Sequence, residues 1–572
     1  MNRSFLGFSI LFIYSFQIVS AQYQPKTITS KQLKEANTWV DKTYNSLSQN
    51  EKLGQLFIVA LYTNKGEDYI QTVRNLVKNE QLGGLIMMQD DAEREISLLN
   101  EFQKTSKVPM MIGMDAEWGL FQRIPTAHKF PWAMTLGAIQ DKKLIYEMSA
   151  QIAEDCKKMG INWDFAPVVD VNTNPNNPII GNRSFGSEVD NVVSSATAYS
   201  NGLQDQNILA AIKHFPGHGD ASVDSHIDLP LIDQNIDRLN KVELAPFQQM
   251  IDKGIGGIMI AHLFVPALET QKGIPASLSK KIVTDLLKNK MGYKGLIITD
   301  ALNMGAVANK YEAGKVDALA FEAGNDIMLF SQDVKKGKQL IQKAIDDKQI
   351  SQKRVEESVK KILLTKYFLG LNKYEARNPA NINQDLNSEN HQILAEKLYS
   401  NALTLIKDDQ KLLPLNCKET YYFVPMEEAS YQTFLNKLNL NATVLLKKPS
   451  EISTIPANST VIVGFHKDNS SAYKPYKISN ESKKWLAEIA RKNKVILEVF
   501  GSPYALKDVD IKNISTVLVA YENNEDSQMA SAKALNGKTK ISGRLPVLVN
   551  EDLKEGMGID LNASSKTNIQ NR

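Results

Sequence analysis

The chain has 572 residues, of which 43% are hydrophobic and 23% charged, with a formal net charge of +3. This length exceeds one ordinary domain, so two domains are predicted, and it leaves room for a large barrel as one of them. A charge so close to neutral gives no electrostatic reason to expect nucleic acid or an anionic membrane surface as a partner.

The first 21 residues have the pattern of an export signal. Arg3 supplies a positive start, Leu6 to Ile18 form a mostly apolar run, and Val19-Ser20-Ala21 resemble a cleavage site. We predict a cleaved signal peptide over residues 1–21 and a protein that is periplasmic or secreted; an uncleaved anchor is the alternative. No later stretch is apolar for long enough to cross a bilayer.

Cysteine is too rare to build a disulfide framework. Only Cys156 and Cys417 are present, in regions assigned to different domains. Two unpaired thiols are favoured over one bridge, and the sequence does not decide between them.

Eight short apolar runs follow one another between about residues 50 and 330, with amphipathic stretches such as Asp237–Asp252 and Lys280–Lys290 among them. The runs are Leu53–Tyr62, Leu82–Met88, Val108–Asp115, Ile161–Val171, Ile208–Gly217, Gly254–His262, Gly295–Met304 and Asn325–Phe330. Continuous rather than alternating apolar runs are typical of strands covered on both faces. We therefore predict a (β/α)8 barrel over residues 22–371.

Polar residues fall at or just past the C-terminal ends of these runs, where barrel enzymes build their active sites. They are Asp115, Asp164, Asp170, Lys213, His214, His262 and Asp300. Any one strand-end Asp could merely cap the next helix. Seven such residues on one face instead predict a functional site.

A second domain follows the barrel. A helix at about Val355–Leu369 precedes an Asn- and Pro-rich linker over residues 372–387. Residues 388–560 then begin with a predicted helix, Ser388–Ile406, and continue with apolar runs at 420–426, 442–448, 459–465, 494–500 and 515–521. This pattern predicts a smaller α/β sandwich with a largely parallel sheet, followed by a polar tail at 561–572.

The segment KHFPGHGDASVDSH, residues 213–226, is rich in histidine. His214 and His218 are four residues apart, but Pro216-Gly217 breaks the helix that a zinc pair at this spacing requires. We expect no bound metal or cofactor, and we expect His218 to brace the loop. A metal-dependent hydrolase built on His214, His218 and His226 remains an alternative.

Two other features carry acid–base chemistry. If the loop is extended, residues two apart point the same way, so Asp224 can bond one imidazole nitrogen of His226 and leave the other to exchange a proton. Asp300 ends the seventh run beside a small Ala301. Acetal hydrolysis with retention needs one carboxylate nucleophile and one proton donor, and these residues would supply both.

The sequence KHFPGHGDASVDSHIDLP, residues 213–230, resembles the signature of glycoside hydrolase family 3, in its β-N-acetylglucosaminidase branch. ITDALNM, residues 298–304, is similar to the nucleophile motif of the family. Weaker resemblances lie in GMDAEWGLFQR, GNRSFG and ISGRLPVLV, so the similarity extends from about residue 45 to 550.

This resemblance implies that Asp300 forms a covalent glycosyl-enzyme and that His226, paired with Asp224, is the acid/base. It further implies that five residues hold the sugar hydroxyls and the N-acetyl group: Asp115, Arg123, Arg183, Lys213 and His214. The chain departs from the pattern after Asp115, where Ala-Glu-Trp-Gly-Leu stands. Trp118 would either stack on substrate or fill space.

The leading hypothesis is an exo-acting, retaining β-N-acetylglucosaminidase that acts on peptidoglycan- or chitin-type saccharides. A phosphorylase that uses the same residues with phosphate in place of water is an alternative, because neutral His226 repels an anion less than a glutamate would. Substrate-assisted catalysis usually needs an adjacent Asp-Glu pair, which the predicted catalytic face lacks. A non-catalytic sugar-binding protein would not need the acid–base pair. The oligomeric state is not predicted.

Overall fold

A computed structural model describes residues 28–89 and 91–564. The predicted signal peptide and residues 565–572 of the predicted tail lie outside these residues. Two sheets organise the chain, one of eight strands and one of six.

The first sheet is the predicted barrel. Its strands are β1 Phe57–Leu61, β2 Gly84–Met87, β3 Met111–Met114, β4 Trp163–Asp164, β5 Leu209–Phe215, β6 Gly257–Ile260, β7 Leu296–Thr299 and β8 Met328–Leu329. All neighbours pair in parallel from β7 through β1 to β8. Backbone bonds from Thr299 N to Ile327 O and from Ile327 N to Ile297 O, both 3.1 Å, close the ring. Each predicted run contains one strand, so the prediction is confirmed.

The fourth run forms less strand than its apolar length suggests. Only Trp163–Asp164 form a regular strand, and Pro167, which has no N–H to donate, interrupts the pairing further along. The chain nevertheless stays beside β5, where Lys213 N donates to Pro167 O at 3.3 Å and Val169 N donates to Lys213 O at 2.9 Å. This course brings Asp170 next to His214.

Helices cover the outside of the barrel. They are Ser30–Ser46, Gln49–Gly54, Glu67–Glu80, Ala92–Thr105, Ala133–Gly137, Lys143–Met159, Val189–Gln204, Ile236–Lys241, Ala245–Asp252, Gly305–Ala308, Lys315–Ala323, Val334–Asp346 and Gln352–Phe368, with a π-helix at Lys281–Lys290. The predicted stretch Asp237–Asp252 is two helices, because Pro246 begins a new one.

The strands of the second sheet are β9 Thr404–Asp408, β10 Thr420–Met426, β11 Thr443–Leu446, β12 Thr460–His466, β13 Lys494–Phe500 and β14 Thr516–Val519. Their order is β11-β10-β12-β13-β14-β9, with β9 antiparallel at one edge and the other strands parallel. Its helices are Glu389–Ala402, Gln432–Leu438, Asn480–Ala490 and Glu525–Leu535. The predicted α/β sandwich is confirmed.

The predicted helix Ser388–Ile406 is wrong at its end. It stops at Ala402, and Thr404–Asp408 instead form β9, because this segment pairs with β14. The Asn- and Pro-rich residues 372–387 contain a short helix, Ile382–Asp385, and lie against the barrel, where Asn100 Nδ2 donates to Arg377 O at 2.7 Å.

The two domains are joined through a buried carboxylate. Glu522, which follows β14, accepts hydrogen bonds from Trp132 N and Thr135 Oγ1 of the barrel, both at 2.8 Å, and pairs with Lys129 at 3.1 Å. Cys156 is buried, Cys417 is exposed, and the two form no disulfide. Among the described helices, none has the length and apolar character needed to cross a bilayer.

Candidate active site

A cavity of about 260 Å³ opens at the C-terminal ends of the barrel strands. It brings together seven of the eight residues that the sequence singles out for catalysis or sugar binding. They are Asp115, Arg123, Arg183, Lys213, His214, His226 and Asp300. The eighth, Asp224, contacts the cavity through His226.

Asp115, directly after β3, is held by two cations. Its carboxylate accepts hydrogen bonds from Lys213 Nζ at 2.7 Å and from Arg123 Nη2. Burial alone would raise its pKa, but Lys213 and Arg123 hold that pKa well below its ordinary value. Asp115 is therefore an ionised hydrogen-bond acceptor with a fixed orientation.

Glu117 belongs to the same charged cluster, and the sequence reasoning missed it. It is buried, accepts two hydrogen bonds from Arg183 at 2.7 and 2.9 Å, and lies 2.9 Å from Lys213 Nζ. Burial opposes its ionisation, but Arg183 and Lys213 lower its pKa to about 2. Its position two residues after Asp115 at a strand end was the available signal.

His214 is oriented by Asp170. The buried Asp170 carboxylate lies 2.7 Å from His214 Nδ1 and accepts a 2.7 Å bond from the backbone N–H of His218. Burial would raise its pKa, but His214 and these bonds lower it. Since Nδ1 then carries the proton, His214 Nε2 is the acceptor for Arg183 Nη2, 3.3 Å away.

His218 braces the loop, in agreement with the prediction. It is buried, and its Nε2 lies 3.2 Å from Ser225 Oγ. Burial and the neighbouring His214 lower its pKa to about 4, so the ring is neutral at neutral pH. Within the described ranges no three His, Cys, Asp or Glu side chains are grouped as metal ligands.

Asp300 follows β7 and faces the cavity. Its Oδ1 accepts a 2.8 Å bond from the backbone N–H of Ala301. Burial would raise its pKa, but His214, His262 and the Ala301 N–H lower it, so this carboxyl group is ionised. His262 also supports the backbone here, because its Nε2 lies 3.1 Å from Ala301 O while its Nδ1 contacts Ser277 Oγ at 2.7 Å.

Asp224 and His226 form the predicted pair, but not in an extended loop. Ile227 N and Asp228 N both donate to Asp224 O, at 3.0 and 3.1 Å, so these residues form a tight turn. Asp224 Oδ1 lies 2.9 Å from His226 Nδ1 and accepts a 2.8 Å bond from the His226 N–H. The turn, rather than strand-like alternation, brings the two side chains together.

This turn is attached to the segment that follows Asp300. Gly305 N donates to His226 O at 3.1 Å, and Ala306 N donates to Ser225 O at 3.4 Å. The His226 side chain is 60% exposed, so it stands at the rim of the cavity with Nε2 unengaged by any described residue. The site thus places an ionised carboxylate and a carboxylate-bound imidazole around one polar cavity.

The second domain also contributes to the cavity. Tyr473, 51% exposed, comes from the loop after β12 and lines the cavity together with the barrel residues. The sequence offered no signal for this contact, because it depends on how the domains pack. Trp118 does not line the cavity; it packs on Trp132 and Ala472 between the domains, so it fills space.

Comparison with known proteins shows the family of the chain. The model of the N-terminal domain of glycosyl hydrolase family 3 matches residues 48–365. Beta-hexosaminidase A of Pseudoalteromonas piscicida is 30% identical over 545 residues, which are 83% of this chain and 90% of that protein. Beta-hexosaminidase LpqI of Mycobacterium tuberculosis is 32% identical over 298 residues, 50% of this chain and 73% of its own length.

Solved structures share the fold. A glycoside hydrolase family 3 β-N-acetylglucosaminidase from Paenibacillus sp. str. FPU-7 superposes with a TM-score of 0.74 at 27% identity, covering 88% of this chain and 99% of that one. The β-glucoside phosphorylase BglX bound to 2FGlc superposes with a TM-score of 0.77 at 24% identity, covering 90% and 96%. Because BglX is only 24% identical to this chain, its similarity shows a shared fold alone.

Proposed function

The chain belongs to glycosyl hydrolase family 3 and is a glycoside hydrolase, and we propose that it removes terminal β-linked N-acetylglucosamine with retention of configuration. One observation carries the proposal: the Asp300 carboxylate and the Asp224–His226 pair border the same cavity. The names of the similar proteins, among them a β-N-acetylglucosaminidase, support this choice of sugar.

The size of the cavity favours exo action. Its volume of about 260 Å³ lies just below the roughly 300–1,000 Å³ of sites for drug-sized ligands, which suits one sugar ring. Its lining includes three acidic and three basic side chains: Asp115, Glu117, Asp300, Arg123, Arg183 and Lys213. Such fixed donors and acceptors suit the hydroxyls of a single terminal sugar.

In the proposed mechanism Asp300 attacks the anomeric carbon. An ester bond forms between Asp300 and that carbon while the glycosidic bond breaks, and His226 Nε2 gives its proton to the departing oxygen. Asp224, which lies 2.9 Å from Nδ1, orients the ring for this transfer. Neutral His226 then takes a proton from water, whose oxygen attacks the anomeric carbon and releases Asp300.

The charged cluster would bind the sugar. Asp115 accepts from adjacent hydroxyls, while Arg123, Arg183 and Lys213 donate in directions that their carboxylate partners fix. His214 would bind from the position that Asp170 gives it. Together these groups would hold the hydroxyls and the N-acetyl group.

We further propose that the protein is exported, periplasmic or secreted, and that it acts on peptidoglycan- or chitin-type saccharides. The N-terminal sequence pattern supports export. The names of the similar proteins, a beta-hexosaminidase and a β-N-acetylglucosaminidase, support saccharides that contain N-acetylglucosamine.

Trapping with a slow fluorinated N-acetylglucosaminide, followed by mass mapping, tests the mechanism. We expect one label on the peptide that contains Asp300, and none in the Asp300→Asn protein. A label on the peptide of Asp115 and Glu117 would refute the assignment. Product analysis with and without phosphate separates hydrolysis from phosphorolysis, since only the latter yields a glycosyl phosphate.

A further inference from the structure

A ring of hydrogen bonds around Ala116 adjoins the charged cluster of the cavity. Asp164, the last residue of β4, is fully buried, and its Oδ1 accepts a 3.0 Å bond from the backbone N–H of Ala116. Tyr199, buried in helix Val189–Gln204, donates its hydroxyl to Ala116 O at 2.9 Å. The same hydroxyl oxygen lies 3.3 Å from Asp164 Oδ2, and this contact closes the ring.

The ring holds the two peptide groups that carry Asp115 and Glu117. The Ala116 N–H belongs to the peptide that follows Asp115, and the Ala116 carbonyl belongs to the peptide that precedes Glu117. A rotation of the backbone at Ala116 would therefore break both bonds. Because this rotation is prevented, the carboxylates of Asp115 and Glu117 keep their positions beside Lys213 Nζ, at 2.7 and 2.9 Å.

The ring needs one more proton than an ionised Asp164 can supply. Tyr199 has a single hydroxyl proton, and the 2.9 Å bond to Ala116 O uses it. If Asp164 were ionised, its Oδ2 would face the Tyr199 oxygen with no proton between them. A proton on Oδ2 lets Asp164 donate to Tyr199 Oη, so that no polar group of the ring is left without a partner.

The surroundings of Asp164 also favour its neutral form. Burial is the main cause that raises its pKa, and the carboxylates of Asp115 and Glu117 raise it further. The Ala116 N–H and Lys213 act in the opposite direction, and the balance leaves the pKa at about 7. Loss of this proton would place a third negative charge beside Asp115 and Glu117. Two further ionisable groups that face Asp164 are neutral, because burial raises the pKa of each well above its ordinary value: Tyr199 and Cys156.

We propose that Asp164 is a positioning residue that acts in its protonated form, and that its proton, given to Tyr199, keeps Asp115 and Glu117 in the arrangement that receives the sugar. The inference rests on the proposed function, because that function assigns Asp115 to the sugar hydroxyls. It goes beyond that function by giving a role to two buried side chains that do not line the cavity.

Asp164→Asn tests the role of the proton. The Asn amide can donate to Tyr199 Oη, and its oxygen can accept from the Ala116 N–H, so the variant reproduces the protonated acid at every pH. The readout is kcat/KM for dinitrophenyl N-acetylglucosaminide from about pH 5.5 to 9, since this leaving group departs without a proton from His226.

We expect the variant and the wild type to agree within about twofold at the acid end of this range. At the alkaline end the variant should exceed the wild type by about tenfold, a loss typical of slightly displaced binding groups. The ratio of the two rates should rise around the pKa of Asp164, about 7. Other titrations of the site cancel in this ratio, because both proteins share them.

Two other variants separate positioning from a general effect on stability. Tyr199→Phe removes the hydroxyl from the ring, so kcat/KM should fall about tenfold even at the acid end. Glu498→Gln is the matched control, because it removes a fully buried carboxyl group of β13 in the second sheet, whose pKa burial raises to about 8. This control should keep the wild-type pH profile of kcat/KM.

Infrared difference spectra between the wild type and Asp164→Asn give a readout besides activity. They should show the carbonyl band of a protonated carboxyl group at the acid end, and the band should vanish at the alkaline end. Absence of this band at the acid end, a rate ratio that stays constant with pH, or a fully active Tyr199→Phe protein would overturn the inference and leave the proposed function intact. Failure of the wild type to release N-acetylglucosamine from any substrate would overturn both.

Discussion

His226 is tied to Asp224 twice, through its imidazole Nδ1 at 2.9 Å and through its backbone N–H at 2.8 Å, both to the same carboxylate oxygen. Because one oxygen accepts from both groups, the ring orientation is coupled to the backbone of the turn. Nε2 is left as the nitrogen that exchanges a proton with substrate.

Replacement of Asp224 by Asn tests the charge separately from the hydrogen bonds. Asn keeps an oxygen that can accept both bonds but lacks the negative charge. We expect kcat/KM for unactivated saccharides to fall about tenfold, which corresponds to about 1.4 kcal/mol. The readout is the kinetics, with circular dichroism as the check that the fold is retained. An Asn variant as active as the wild type would show that the charge has no part in proton transfer.

Removal of the imidazole should make the rate depend on the leaving group. In His226→Ala we expect kcat/KM to fall about 10²–10⁴-fold with saccharide leaving groups, the usual contribution of general acid catalysis. With dinitrophenyl N-acetylglucosaminide, which leaves without a proton, the loss should be less than about tenfold. Equal losses for both substrates would point to a structural role for His226 instead.

Asp300→Ala should abolish turnover of every substrate, including those with activated leaving groups, because the nucleophile is then missing in both steps. The protein should stay folded, since Asp300 makes one backbone hydrogen bond and no direct ion pair among the described residues. Steady-state kinetics and a melting temperature measured on the same sample check both statements. Substantial activity with an aryl substrate would exclude Asp300 as the nucleophile.

Glu117→Gln should lower both stability and substrate affinity. Arg183 and Lys213 would lose a buried counter-charge, which typically costs about 3–5 kcal/mol of unfolding free energy. Displacement of these cations should also lower kcat/KM about 10–100-fold. Urea denaturation and kinetics provide the readouts. The control is Glu101→Gln, whose half-exposed carboxylate pairs with Arg74 on the surface and should change the unfolding free energy by less than about 1 kcal/mol.

The fold could be predicted from the sequence where burial alone determines the pattern of apolar residues. All eight continuous apolar runs contain barrel strands, because parallel strands covered on both faces need apolar residues throughout. The helix expected to continue to Ile406 shows the limit of this reasoning. Residues 404–408 form β9 through pairing with β14, more than 100 residues away, and no local signal reports that partner.

The same distinction holds for the active site, where only the residues whose positions follow from local sequence could be predicted correctly. Asp300 follows β7, and Lys213 and His214 lie at the C-terminal end of β5, so their shared location at one end of the barrel could be predicted. The pairing of Asp224 with His226 was predicted as well, but for a wrong geometric reason, since the residues lie in a turn. Tyr473 enters the cavity only through domain packing, which a single sequence does not encode locally.

Because Glu498 is buried at the centre of β13, we predict that the unfolding free energy of the protein depends on pH. Its side chain is fully buried, and neither carboxylate oxygen has a hydrogen bond of ordinary geometry within the described part of the chain. Burial raises its pKa to about 8, an effect that the neighbouring Ser531 hydroxyl only partly offsets. The folded state therefore holds a proton that the unfolded chain releases above about pH 4.3.

Because the folded state binds more protons than the unfolded state in this range, the Glu498 contribution to stability falls as pH rises from about 4.3 to about 8. Glu498→Gln removes this titration. We expect the variant and the wild type to have similar unfolding free energies at pH 4, and the variant to be more stable by on the order of 2–4 kcal/mol at pH 8. Urea denaturation across this pH range measures the difference, with Glu481→Gln on the exposed first turn of helix Asn480–Ala490 as the control. A difference that stays constant with pH would show that Glu498 does not change its protonation on unfolding.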